Sequence, residues 1–199
     1  MTAFDDLMAF QRETEALSQV AGRLGWDQET MMPRGAAEQR AEEMAAMETV
    51  LHARRTDPRI ADWLASAEPQ DEAAKAHMRE IGRAYDRAMK VPARLSSEIA
   101  RVTSRAQGIW AGARAEEDPS AFLPILTQVI ALRREEAACL SDGTGKSAYD
   151  ALLDDYEPGA SAESIGAIFA EMRPRLVALR EAIRASGKTP PALKGHFDE

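Results

Sequence analysis

Cysteine is nearly absent from this 199-residue chain, where Cys139 stands alone. One thiol cannot close an internal disulfide, which excludes a disulfide-stapled scaffold and fits a reducing cytoplasm. Aromatic residues are scarce at 6%, and no apolar run approaches the ~20 residues that span a bilayer. The opening Met1-Thr2-Ala3-Phe4-Asp5-Asp6 lacks a basic segment followed by an apolar one, so no secretory signal is visible. Histidine is limited to His52, His77 and His196, far apart on separate segments. Positive charge is in the minority: 25 Lys and Arg against 33 Asp and Glu leave a net charge of −8. That balance argues against a nucleic-acid backbone or an anionic membrane as partner. No segment alternates as a half-buried strand does, and no repeat of fixed period stands out. A soluble cytoplasmic protein is the expectation.

What the chain does have is apolar periodicity. Hydrophobic residues make up 45%, enough to bury a substantial core in one domain. Leu7, Phe10, Leu17, Ala21 and Leu24 stripe a first helix over about Thr2–Leu24. Met44, Met47 and Leu51 stripe a second over Ala36–Arg54. Asp57-Pro58 is a cap followed by a first-turn proline, and Ile60, Trp63 and Leu64 make a short buried helix. A fourth helix spans about Asp71–Lys90. A fifth starts at Pro92, with Leu95, Ile99, Val102, Ala106 and Ile109 as its seam. Asp118-Pro119 opens a sixth, and the last runs over about Ala162–Ala185 with Pro174 inside, where a kink is expected. The fold class expected is all-α, about seven helices in a mostly antiparallel array without a β-sheet. Gly143-Thr144-Gly145-Lys146-Ser147 imitates a phosphate loop. The glycine that loop needs five residues earlier is Leu140, and a helix precedes it, so nucleotide binding is rejected.

The densest polar cluster is Trp26-Asp27-Gln28-Glu29-Thr30-Met31-Met32-Pro33. The apolar stripe stops at Gly25, and Pro33 and Gly35 interrupt the backbone again. Two acids, an amide, a hydroxyl and an indole between helices suit a polar site. They equally suit a connector whose indole plugs the core. As a rigid corner, Trp26 should be buried, and Asp27 and Thr30 should bond junction amides. Gln28 or Glu29 should face a cleft. Trp26→Ala would then cost about 3–5 kcal/mol.

The string Trp-Asp-Gln-Glu-Thr-x-Met-Pro closely resembles the carboxypeptidase Taq family of zinc metallocarboxypeptidases. Ala36–Glu43 resembles the family's next helix. Asp86-Arg87-Ala88, Thr103-Ser104-Arg105-Ala106-Gln107 with Trp110, and Phe122-Leu123-Pro124 extend the likeness. So does Tyr149–Gly159, which reads Tyr-Asp-Ala-Leu-Leu-Asp-Asp-Tyr-Glu-Pro-Gly. The resemblance covers nearly the whole chain but only the N-terminal part of a family member. It implies residues 1–186 as a helical N-terminal region and 187–199 as a linker and the start of a missing C-terminal catalytic part. It implies a zinc cofactor and a peptide substrate for the intact enzyme, a homodimer, and a role here as wall and lid of the substrate channel. Family members hold zinc with a His-Glu-x-x-His helix and a downstream glutamate. That motif is absent from this sequence. The chain alone is therefore expected to carry no catalytic residue and no metal ligand. A self-standing helical interaction or dimerisation module derived from the family is the rival reading. An independent helical enzyme built on the Trp26–Thr30 cluster is a third.

Other candidates have plain structural explanations. His77 with Glu80, and Glu48 with His52, have ligand-like helical spacing, but a zinc site needs about three or four convergent groups. Tyr149, Asp150, Asp154, Tyr156 and Glu157 gather acids that suit acid–base work when buried together. Acids just before a helix N-terminus are also favoured electrostatically. The substrate-cleft or structural-corner candidates are thus Trp26, Asp27, Gln28, Glu29 and Thr30 with this second group.

Overall fold

The computed structural model describes residues 2–192 and residue 195. His196 and most of the segment after Ala192 lie outside the described residues. Among the described residues eight α-helices follow one another: α1 Ala3–Thr30, α2 Ala37–Arg55, α3 Pro58–Ser66, α4 Glu72–Lys90, α5 Ala93–Ala115, α6 Leu123–Ser141, α7 Ala148–Leu153 and α8 Ala162–Ala185. Short 3-10 turns at Arg34–Ala36 and Pro119–Ala121 lead into α2 and α6. Among the described residues there is no strand, so the all-α expectation holds. The element the sequence did not resolve as a helix is the six-residue α7.

The caps act as the sequence indicates. The Thr2 hydroxyl accepts from the Asp5 amide while the Asp5 carboxylate accepts from the Thr2 amide, which starts α1. Asp57 accepts from the Arg59 amide ahead of Pro58, and Asp71 accepts from the Ala74 amide. Asp118 accepts from the Ser120 amide, though the turn it opens is 3-10 before α6 begins.

The chain divides into two compact units, Met1–Ala148 and Tyr149–Glu199. In the first, α1 and α2 run antiparallel. Arg54 of α2 reaches Phe10, Glu13 and Thr14, whereas Arg40 reaches Leu24 and Asp27. Helices α2 and α5 are antiparallel too: Ser97 bonds the Ala45 carbonyl, Arg101 pairs with Glu42, and Arg105 with Glu38. The Arg101 hydrogen bond holds the Glu42 carboxyl below its ordinary pKa. Gly108 of α5 faces Ala37 of α2, and a Cβ added there would meet that of Ala37 at 3.5 Å, an ordinary packing contact. Helix α6 returns along α5, with Arg94 bonded to Glu135 near one end and Val102, Ala106 and Ile125 packed together toward the other.

Two buried clusters are among those that hold this unit. Leu7, Phe10 and Ile60 pack with Trp63, Leu64, Ile81 and Tyr85, uniting α1, α3 and α4. Val102, Ala106 and Ile125 pack with Ile109, Phe122, Val129 and Leu132, uniting α5 and α6. His52 is buried in α2, with its Nε2 2.7 Å from the Val91 carbonyl at the turn between α4 and α5. In the second unit, Ser161 and Ser164 cap the start of α8 reciprocally. That helix continues through Pro174, whose ring removes one backbone donor.

Candidate functional site

The Trp26–Thr30 cluster is not a corner. It forms the last turn and a half of α1, which ends at Thr30 rather than Leu24. Glycine in a helix costs about 1 kcal/mol relative to alanine, too little to stop one packed along its length. Gly25 therefore does not interrupt the helix, and the chain turns only at Met31, ahead of Pro33.

Helical geometry reassigns every side chain in the cluster. Leu7, Phe10, Thr14, Ala21 and Leu24 continue at i+4 to Gln28, which faces inward as the stripe dictates. The Gln28 side-chain amide donates to the Ser104 carbonyl at 2.8 Å, and the Ser104 hydroxyl donates back to Gln28 Oε1 at 2.9 Å. This pair latches the end of α1 to the middle of α5. Trp26 falls on the opposite side and is 64% exposed, which overturns the expected burial. Asp27 accepts from Arg40 Nη2 at 2.5 Å instead of capping backbone amides. Thr30 donates its hydroxyl to the Trp26 carbonyl one turn back, not to the chain beyond. Glu29 is exposed.

Sequence reasoning missed Arg40. It is 8% exposed, and its guanidinium bonds the Leu24 carbonyl, Asp27 and Glu43. The Asp27 bond is the main cause that raises its pKa above the ordinary arginine value. The signal was present: Arg40 precedes Met44, Met47 and Leu51 at spacings of four, three and four. A charge on an apolar stripe needs a partner across the interface.

Beside this network lies a recess of about 320 Å³ lined by Gln28, Glu29, Arg34, Glu38, Arg105 and Gly108, among others. Its walls carry both charge signs, with Arg105 bound to Glu38 at 3.0 Å. Such a surface offers hydrogen bonds to a polar chain; it brings no nucleophile and base together.

In the second unit two acids of Tyr149–Gly159 hold backbone amides. Asp150 accepts from the Ala162 amide at 2.7 Å, at the start of α8, and Asp154 accepts from the Gly159 amide at 3.1 Å. Gly159 sits at φ 83°, a left-handed conformation that suits glycine. Tyr149, Tyr156 and Glu157 are exposed. The two-residue metal pairs do not form. Glu80 bonds Arg79, Glu48 bonds Arg55, and His52 faces Val91. Among the described residues no three His, Cys, Asp or Glu side chains converge as a group able to hold a metal ion. The donor set does not fit a catalytic metal.

The model of the carboxypeptidase Taq (M32) metallopeptidase family matches residues 6–199. The chain belongs to that family. It is 41% identical to thermostable carboxypeptidase 1 of Thermus thermophilus over 202 aligned residues, covering 94% of this chain and 39% of that protein. Thermostable carboxypeptidase 1 of Pyrococcus furiosus is 29% identical, with 92% and 37% covered. Among solved structures, Trypanosoma cruzi metallocarboxypeptidase 1 superposes with a TM-score of 0.75 at 29% identity, over 98% of this chain and 41% of that one. The structure titled BsuCP shares the fold at a TM-score of 0.85 and 24% identity, over 93% and 38%. The chain therefore spans about two fifths of the length of the relatives it matches.

Trp26→Ala should change the stability of the isolated chain by less than about 1 kcal/mol, because an indole this exposed has little apolar area to lose. The measurement is a denaturant midpoint. A loss near the 3–5 kcal/mol of a core truncation would restore the buried-corner reading.

Proposed function

We propose that this chain is the N-terminal helical part of a zinc metallocarboxypeptidase that removes C-terminal amino acids from peptides. The observation that carries the proposal is a family match over residues 6–199 joined to coverage of only 39% of a carboxypeptidase 41% identical to it. The 199 residues contain no His-Glu-x-x-His. The zinc ligands and the general base belong to the remainder of such an enzyme. That remainder would hold the zinc, which would supply Lewis-acid chemistry for peptide hydrolysis there. This chain's residues supply a wall of the channel. The Gln28–Ser104 latch and the Arg40 network fix the end of α1, so Glu29, Arg34 and Arg105 line one polar recess on a rigid frame.

The remaining parts of the reading are a cytoplasmic location and a homodimer. No described helix is long and apolar enough to cross a membrane. Trp110 on α5 and Leu123 and Ile130 on α6 are exposed, and exposed apolar side chains of this kind suit docking or self-association.

Purified chain should hold no stoichiometric zinc and release no C-terminal residue from blocked dipeptides. Metal analysis near one zinc per chain, with chelator-sensitive cleavage, would sink the reading of this part as inactive. The positive half is tested on the gene: coding sequence downstream of Glu199 should carry the His-Glu-x-x-His helix. Extending the chain through it should create peptidase activity, and an extended protein that binds zinc yet leaves every peptide intact would refute the enzyme.

A further inference from the structure

Three side chains on the recess at the end of α1 have no work inside the fold. Among the described residues, Glu29, Arg34 and Gln107 make no side-chain hydrogen bond and no ion pair. Their neighbours do: Gln28 is bound to Ser104, and Arg105 to Glu38. Glu29 and Arg34 are opposite charges on either side of the turn through Pro33, and both are exposed. They share one recess without pairing with each other. The walls come from α1, the Arg34–Ala36 turn, α2 and α5, all within the first unit.

Helix α5 keeps the recess open. Gly108, Ala111 and Gly112 bring almost no side-chain bulk to its wall, and a Cβ at Gly112 would meet nothing within 4 Å. Met32 and Ile109 add apolar surface. At about 320 Å³ the space lies at the small end of the roughly 300–1,000 Å³ typical of small-ligand pockets. With the Arg105–Glu38 pair discounted, one cation and one anion remain. An anion alone would meet Glu29 as a like charge, and a cation alone would meet Arg34. A neutral ligand would cover both charges and leave them unpaired. A molecule carrying both charges satisfies both side chains.

We propose that the recess binds a short peptide with free termini, its α-ammonium on the Glu29 carboxylate, its α-carboxylate on the Arg34 guanidinium and a backbone group on the Gln107 amide. A carboxylate and a guanidinium are the groups that meet these termini with charge-assisted hydrogen bonds. Met32 and Ile109 offer apolar contact to the peptide's side chains. The inference deepens the peptide-handling reading above and rests on it for the presence of peptides. Its test needs neither zinc nor cleavage, so its failure would leave the enzyme reading standing.

The probe is trialanine, titrated into the full chain by NMR beside its N-acetyl and C-amide forms. Blocking either end should weaken binding at least about fivefold, a gap that narrows with salt. Acetylation should make no difference to Glu29→Gln, and amidation none to Arg34→Gln, whereas each variant should still respond to the other block. Both residues are exposed, so circular dichroism should stay unchanged. Gly112→Gln grows a side chain into open space and improves helix propensity, so it should abolish binding in a folded chain. Equal binding of the free and blocked peptides overturns the proposal. So does binding that survives Gly112→Gln. No binding at all overturns it as well, and means that the recess is closed by other parts of the chain or holds only water. Free alanine or acetate binding as tightly as trialanine would assign the recess to an amino acid or an anion instead and refute the peptide.

Discussion

Leu7→Ala should destabilise the first unit by about 3–4 kcal/mol, within the range seen for buried leucines truncated in rigid surroundings. Leu7 is fully buried, and its neighbours come from three helices: Phe10 on α1, Ile60 with Trp63 on α3, and Ile81 with Tyr85 on α4. Two features keep the resulting cavity from collapsing. The Phe10 and Trp63 rings brace each other with centroids 5.5 Å apart, and the Arg54 guanidinium covers the Phe10 ring at 4.0 Å. Alanine's better helix propensity returns only a few tenths of a kcal/mol. The denaturant midpoint should fall with the slope unchanged, and melting should drop by roughly 10 °C for a unit of this size. Val20→Ala, exposed on the same helix, is the control and should stay within about 0.5 kcal/mol. If Leu7→Ala matches that control, α3 and α4 do not close over α1 and the core assignment fails.

The helices were legible where one face is apolar and the break is chemical. Asp57-Pro58 and the Leu95–Ile109 seam translate directly into the start of α3 and the buried side of α5, since caps and stripes are local properties of the chain. The cluster after Leu24 was legible only as a string. Its polar residues hid a helical continuation, because a wall of two packed helices accepts a polar side chain on the stripe when a partner waits across it. Gln28 has Ser104 and Arg40 has Asp27, at sequence separations of 76 and 13. No local pattern announces such partners, although an arginine in line with Met44, Met47 and Leu51 marks that one must exist. Trp26 shows the converse error. A large aromatic reads as core by its type, but its angular position two residues after Leu24 places it outward. The acids of Tyr149–Gly159 looked like a functional group, and two of them are occupied holding the amides of Gly159 and Ala162.

Arg40→Ala should cost about 2–3 kcal/mol, the largest effect expected of any polar substitution in the chain. The guanidinium is the only group on α2 that bonds the Leu24 carbonyl and the Asp27 carboxylate together, and it also bonds Glu43 on its own helix. Removing one partner of a buried ion pair typically costs about 3–5 kcal/mol, because the other charge is left desolvated. Here the Asp27 side chain remains 40% exposed and can rehydrate, which places the expected loss below that range. Arg40→Lys should recover less than half of it, since one ammonium cannot present the planar fork that reaches a carbonyl and a carboxylate at once. Asp27→Ala should be milder, near 1 kcal/mol, because Arg40 keeps its Leu24 and Glu43 bonds. A double-mutant cycle then separates the pair from its surroundings, with an Arg40–Asp27 coupling of about 1 kcal/mol and the rest of the Arg40 effect assigned to the Leu24 carbonyl and Glu43. In the proposed intact enzyme the same substitution frees the end of α1 that carries Gln28 and Glu29. KM for peptides should therefore rise more than kcat falls. A stable Arg40→Ala chain, or zero coupling to Asp27, would mean that the Gln28–Ser104 latch alone fixes the end of α1.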